Sequence, residues 1–181
     1  MPNYRRLHTQ GGTFFFTVAA YNRRRILLDE PIRLALRSAI TEIRKTLPFH
    51  NDAWVLLPDH MHCIWTLPLN DDDYPLRWAL IKQEVTRVYR EVYREARQLS
   101  PSRLKRRESS VWQRRFWEHQ IRDETDFARH VDYIHWNPVK HDLVAKANEW
   151  PYSTFHRYVK EGIYSPDWGT ADDFDDDEFG E

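Results

Sequence analysis

The segment LLPDHMHCIWTLP (56–68) sets two imidazoles, His60 and His62, one residue apart inside an otherwise apolar run. On a β-strand side chains alternate, so His60 and His62 share one face while Met61 and Cys63 take the other. Two imidazole nitrogens on one face can close on a single ion, which makes His-x-His a common half-site for a divalent metal. A purely structural pair is the competing reading, and the spacing alone does not separate the two. A second stretch, RHVDYIHWNPVKHDL (129–143), supplies partners. At about 100° per residue on a helix, Phe127, Val131 and Ile134 cluster on one side, while His130, Tyr133 and Asn137 form a separate stripe. Tyr133 and Asn137, four apart, are expected to share a face distinct from the core face.

A helix carrying a phenol and an amide, packed across a strand carrying two imidazoles, would form a three-ligand site from His60, His62 and Asn137, with Tyr133 beside it. Two nitrogens and one amide oxygen, with coordination positions left open, suit Mg²⁺ or Mn²⁺. A tyrosine has an ordinary pKa near 10 and needs an activated electrophile at neutral pH. A phosphodiester bound to a divalent ion is such an electrophile. Attack on it yields a phosphotyrosine, from which a free 3′-hydroxyl can later rejoin the strand.

The elements that must position these groups are legible in outline. Residues 11–21, GGTFFFTVAAY, are rich in aromatic and β-branched residues and read as a strand. Asp29 and Pro31 open a helix whose apolar positions Ile32, Leu36, Ala39/Ile40, Ile43 and Leu47 recur every three or four residues. Strands follow at 52–58 and 60–67, with Pro58-Asp59 as turn chemistry between them. Residues 76–96 are expected to form a second helix with Trp78, Ile81, Val85, Val88 and Val92 facing inward and Arg77, Lys82, Arg87, Arg90 and Arg94 largely off that face. A basic loop occupies about 97–110, and 111–121 reads as a fourth strand. Asp123 and Asp126 cap a third helix that Pro138 is expected to end, since the residue before a proline is pushed out of the α region. The order is β-α-β-β-α-β-α: an α+β, split βαβ, ferredoxin-like antiparallel sheet with helices on one face.

With 181 residues, 41% hydrophobic and 30% charged, the chain has the composition of one soluble globular domain, here taken as residues 1–170. No segment approaches the ~20 apolar residues of a membrane span, and the polar start MPNYRRLHTQGG lacks a signal-peptide pattern. A lone cysteine, Cys63, cannot close an internal disulfide, so a reducing, cytoplasmic setting is expected. The net charge of −1 hides a segregation. The tail ADDFDDDEFGE (171–181), expected to be disordered, carries −7, which leaves +6 on the other 170 residues. Residues 97–115 alone hold seven Arg/Lys against one Glu. A positive body points to a polyanion, and the acidic tail could compete for the same surface. Arg23, Arg24, Arg25, Lys105, Arg106, Arg107, Arg114 and Arg115 are candidates to grip phosphates. Trp112, Phe116 and Trp117 interleave with them and are candidates to stack on unpaired bases, although Phe116 suits the core better.

PDHMH, followed by FWEHQIRDETDFARHVDYIHWNPVKHDLV and WPYSTFHRYVKEGIYSPDWG, resembles the REP-associated tyrosine transposases. These are bacterial relatives of the single-tyrosine HUH transposases, and the likeness runs over roughly residues 4 to 169. The resemblance implies an HUH-type fold in which His60 and His62 bind metal, Tyr133 is the nucleophile and Asn137 completes the metal shell. It also implies cleavage and rejoining of single-stranded DNA beside hairpins of repetitive palindromes, through a 5′-phosphotyrosine, by a nucleoid-associated protein; monomer and homodimer are both left open. Trp136 stands where the family often has tyrosine, which removes a rival nucleophile. Asp142 stands where the family commonly has glycine, and a strained local backbone is expected there. The alternative is a non-catalytic DNA- or RNA-binding regulator of RRM-like fold, which shares the strand order but assigns no task to His60, His62, Tyr133 and Asn137 together.

Overall fold

A computed structural model describes residues 9–93 and 111–170. The basic loop with Lys105, Arg106 and Arg107, and the acidic tail from 171, lie outside the described residues. Four strands, β1 (Thr13–Ala19), β2 (His50–Leu56), β3 (His60–Thr66) and β4 (Trp117–Gln120), form one sheet in the order β2-β3-β1-β4. Every neighbouring pair is antiparallel. β3 lies between β1 and β2, the split βαβ arrangement expected from the element order. The helices are α1 (Glu30–Thr46), α2 (Tyr74–Tyr93), α3 (Glu124–Lys140) and the short α4 (Phe155–Lys160).

The helices cover both faces of the sheet, which corrects the expectation of a single helical layer. On the first face Phe14, Phe16, Val18, Met61, Cys63 and Trp65 pack with Ile32, Leu36, Trp78, Ile81 and Val85 of α1 and α2. On the second, Phe15, Ala53, Val55 and Ile64 pack with Val131, Tyr133 and Ile134 of α3 and with Trp150 and Tyr158. Burial on both sides is why the strands read as near-continuous apolar runs.

Two details of the helices also differ from expectation. In α2 the buried row is Tyr74, Arg77, Trp78, Ile81, Val85, Thr86 and Tyr89, whereas Val92 is exposed. Arg77 is fully buried because every arm of its guanidinium is bonded. It donates to both carboxylate oxygens of Asp71 (2.9 and 2.6 Å) and to the carbonyls of Leu47, Pro48 and Asp73, joining α2 to the end of α1. In α3, Pro138 lies inside the helix, which continues to Lys140. A proline this near the end costs a single backbone bond, and the helix then closes in a Schellman motif: Leu143 N–H donates to Pro138 O and Asp142 N–H to Val139 O. Asp142 occupies the left-handed position with φ 53°, the strained conformation anticipated for a residue where glycine is usual. At the other end Asp123 caps α3 by accepting from Asp126 N–H at 2.8 Å. The described part of β4 is shorter than expected: upstream only an Ala20–Trp112 bridge persists.

Candidate active site

β3 and α3 meet on the second face. His60 and His62 lie on the same side of β3 with ring centroids 4.9 Å apart, and both are essentially buried. The Tyr133 ring lies 5.2 Å from His62, and the His141 ring lies 5.2 Å from His60. Tyr133, Asn137 and His141 are spaced four apart along α3 and its cap, so this stripe runs beside the histidine pair with Asn137 between the two contacts. The stripe is not a solvent face: Tyr133 is 6% and Asn137 0% exposed, because α3 lies flat on the sheet and covers both its apolar and its polar rows.

Both imidazoles are held from behind. His60 Nδ1–H donates to Asp59 Oδ1 at 2.7 Å, and His62 Nδ1 pairs with Thr17 Oγ1 of β1 at 2.9 Å. Thr17 is directly opposite His62 in the β1–β3 ladder, so strand register sets this bond. In each ring the remaining nitrogen, Nε2, is buried without a partner, as are both amide atoms of Asn137 and Nε2 of His141. Buried polar atoms are nearly always hydrogen-bonded, so this many orphans along one seam make it the candidate binding site. Burial lowers the pKa of His60, and it drives that of His62 well below 6.5. Both rings are therefore neutral at pH 7, the protonation state in which imidazole ligates a metal. The donor set of two imidazole nitrogens and an amide oxygen fits the divalent ion implied by the resemblance. The Lys140 ammonium lies 5.1 Å from the centroid of the Tyr133 ring.

Beside the histidines opens a cleft of about 230 Å³ lined by Arg23, Arg25, Asp59, His60 and His141 among others. Arg25 is exposed, and Arg23 lies 3.7 Å from Asp59 Oδ2. Arg24, grouped with them on sequence, turns away and donates to Tyr89 Oη at 2.6 Å. Arg114 and Arg115 are exposed just ahead of β4. Trp112 does not present its ring to a ligand. It is 3% exposed in the first-face core, where the apolar surface under α2 captures it along with Phe116. Trp117, by contrast, is 53% exposed.

His130 joins a different group. His119 Nε2 lies 2.9 Å from Asp126 Oδ2, and His130 Nδ1 pairs with Asp126 O at 2.7 Å. The three side chains bring ligand-type atoms within 4.8 Å of one another. However, Arg122 also donates to Asp126 Oδ2 at 3.0 Å, so the carboxylate is already compensated by a cation. The His119 and His130 nitrogens that face Asp126 are likewise engaged, unlike the open nitrogens of His60 and His62.

His141, Lys140 and Thr17 are the neighbours that sequence reading missed. The four-residue stripe from Tyr133 through Asn137 reaches His141 once α3 is allowed to run past Pro138, so that spacing was the available signal. Thr17 left none, because its role depends on strand pairing.

No family model matches the chain. Whole-chain comparisons do find relatives. The REP-associated tyrosine transposase of Escherichia coli K12 is 47% identical over 175 residues, covering 96% of this chain and 95% of its own length. A Haemophilus influenzae protein named for the same family is 48% identical over 169 residues, covering 93% and 94%. A solved REP-associated tyrosine transposase bound to a REP hairpin superposes with a TM-score of 0.78 at 42% identity, covering 97% of this chain and 96% of that chain.

Proposed function

The chain belongs to the REP-associated tyrosine transposases, and we propose that it cuts and rejoins single-stranded DNA beside hairpins, with Tyr133 as nucleophile. The observation that carries this reading is the Tyr133 ring 5.2 Å from His62, beside two imidazoles whose outward nitrogens have no partner. A divalent ion, Mg²⁺ or Mn²⁺, held by His60 Nε2, His62 Nε2 and Asn137 Oδ1, would draw charge from the phosphoryl oxygens and stabilise the crowded transition state.

The protein's own groups do the rest. Tyr133 Oη forms a bond to phosphorus as the P–O3′ bond breaks; the phenol loses its proton, and the departing 3′ oxygen gains one. The Lys140 cation over the Tyr133 ring favours the phenolate as that proton leaves. Asp59 and Thr17 hold His60 and His62 with Nε2 forward, so the rings need no reorientation during the step. Reversal, with a 3′-hydroxyl attacking the phosphotyrosine, reseals the strand without ATP. Arg23 and Arg25, on the rim of the adjoining cleft, are placed to pair with backbone phosphates. The DNA partner is a hairpin of the kind bound by the solved relative.

Incubation with a REP-type hairpin oligonucleotide and Mg²⁺, followed by denaturing electrophoresis, should give a protein–DNA band. Tyr133→Phe should lose that band, a fall on the order of 10³-fold or more, with hairpin affinity retained. Cleavage that survives in Tyr133→Phe would instead indicate water as the nucleophile. Tight binding without any cleavage in Mg²⁺ or Mn²⁺ would leave only a hairpin-binding regulator.

A further inference from the structure

α3 packs chiefly over β2 and β3, so it roofs only part of the second face. β4, the edge strand beyond β1, carries Trp117 and His119 on that face, opposite Thr17 and Phe15. Trp117 is 53% exposed there, on a four-residue edge strand where a large apolar ring is a liability unless something covers it. Its orientation is ordered. The Trp117 and His119 rings are parallel within 6° at 5.9 Å, and the His119 and His130 rings within 13° at 4.6 Å. His119 is fixed in that ladder by Asp126, and Phe15 supports Trp117 edge-on at 5.7 Å.

The ladder is continuous with the active site. Phe15 touches His62 at 5.4 Å and Tyr133 at 6.0 Å on the flank away from Trp117. Trp117, Thr17 and His62 form one cross-strand row, which puts Trp117 two strand spacings, about 10 Å, from His62. The exposed Arg114 and Arg115 precede it, supplying positive charge along the same edge. A flat aromatic surface beside arginines, one row across from a phosphodiester site, matches the chemistry of an unpaired nucleobase, because every base offers a π-face and its backbone offers phosphates.

We propose that Trp117 is the stacking platform for an unpaired base close to the cut, in the single-stranded segment flanking the hairpin. The proposal rests on the strand-transferase reading for the path of the DNA, but not on the chemistry of Tyr133. Trp117 therefore acts as a binding residue and takes no part in bond breaking. His119 and Asp126 hold the platform square, which gives the His119–Asp126–His130 group a positioning task in place of a metal.

The test is an abasic scan. Full-length protein is titrated, without divalent ions, against hairpin oligonucleotides whose single-stranded flanks carry one abasic site at successive positions. In the wild type one flank position should weaken binding roughly tenfold, while abasic sites elsewhere in the flanks should matter less. Trp117→Ala should weaken binding to the intact oligonucleotide by a similar factor and become indifferent to that position; Trp117→Phe should recover most of the loss. The exposed site makes both variants expected to melt like the wild type. Wild-type affinity in Trp117→Ala, or a loss that adds equally to every abasic substitution, would overturn the platform. A change in oligomeric state of Trp117→Ala on size exclusion would overturn it too, by assigning the ring to a contact between copies. The outcome is separable from that for Tyr133: abasic coupling without a covalent adduct would refute the transferase reading alone, and an adduct without coupling would refute the platform alone.

Discussion

The two faces of β3 are built from alternate residues of one strand, yet they obey different rules. Met61, Cys63 and Trp65 point into the first face, where Trp65 stacks on Trp78 at 4.2 Å and burial pushes the Cys63 thiol well above its ordinary pKa. His60 and His62 point into the second, which is as dry but leaves polar nitrogens unpaired. One side is packed to stabilise, and the other carries the cost of a cluster of unpaired nitrogens that the proposed metal would satisfy. Depth of burial does not separate them. The clustering of unpaired polar atoms does: the first face leaves scattered ones, such as the indole nitrogens of Trp78 and Trp112, whereas the second gathers Nε2 of His60 and His62 and both amide atoms of Asn137 along one seam.

This contrast can be tested by substituting on either side of the strand. The largest effect is expected from His62→Leu, which removes a proposed ligand atom. Metal-dependent DNA cleavage should fall by at least about 100-fold, while the thermal midpoint holds or rises because an unpaired buried nitrogen has been replaced by an apolar group. A lower midpoint with cleavage intact would make His62 structural. On the opposite face, Trp65→Ala should do the reverse, costing about 3–5 kcal/mol in denaturant titrations while the protein that remains folded still cuts.

Acid sharpens the comparison further. His60, His62 and His135 all have folded-state pKa values lowered chiefly by burial, that of His135 to about 3, and all three belong to β3 or α3. As pH falls below the ordinary 6.5, the unfolded chain takes up these protons before the folded one. The stabilisation from their neutral burial is thus complete above about 6.5 and declines below it, by up to ~1.4 kcal/mol per pH unit for each ring still neutral in the fold. Melts between pH 7.5 and 5 should show that slope, reduced in His135→Gln. Metal affinity should change little from pH 8 to 6.5, since His60 and His62 have no proton to release; a steep loss across that range would mean that they are charged in the fold. The smallest effect is expected at the end of the helix carrying Tyr133. Asp142→Gly should relieve the left-handed strain and raise stability by up to about 1 kcal/mol with cleavage unchanged.

Much of this was open to reading from residue order alone. Alternation placed His60 and His62 back to back with Met61 and Cys63, and helical spacing put Tyr133 and Asn137 one turn apart, because both patterns are properties of a single element. The number of helical layers was not readable, since a strand buried on both faces shows no polar side to mark the second. The burial of Arg77 and Trp112, the turning of Arg24 onto Tyr89, and the pairing of Thr17 with His62 were equally hidden. Each depends on contacts between segments far apart in the chain, and side-chain periodicity carries no information about which surfaces meet. Residue type and spacing thus determined which groups could do chemistry. Only the tertiary packing decided which of them are dry, held from behind and left with an open atom, because desolvation and hydrogen-bond satisfaction arise from the neighbours that folding supplies.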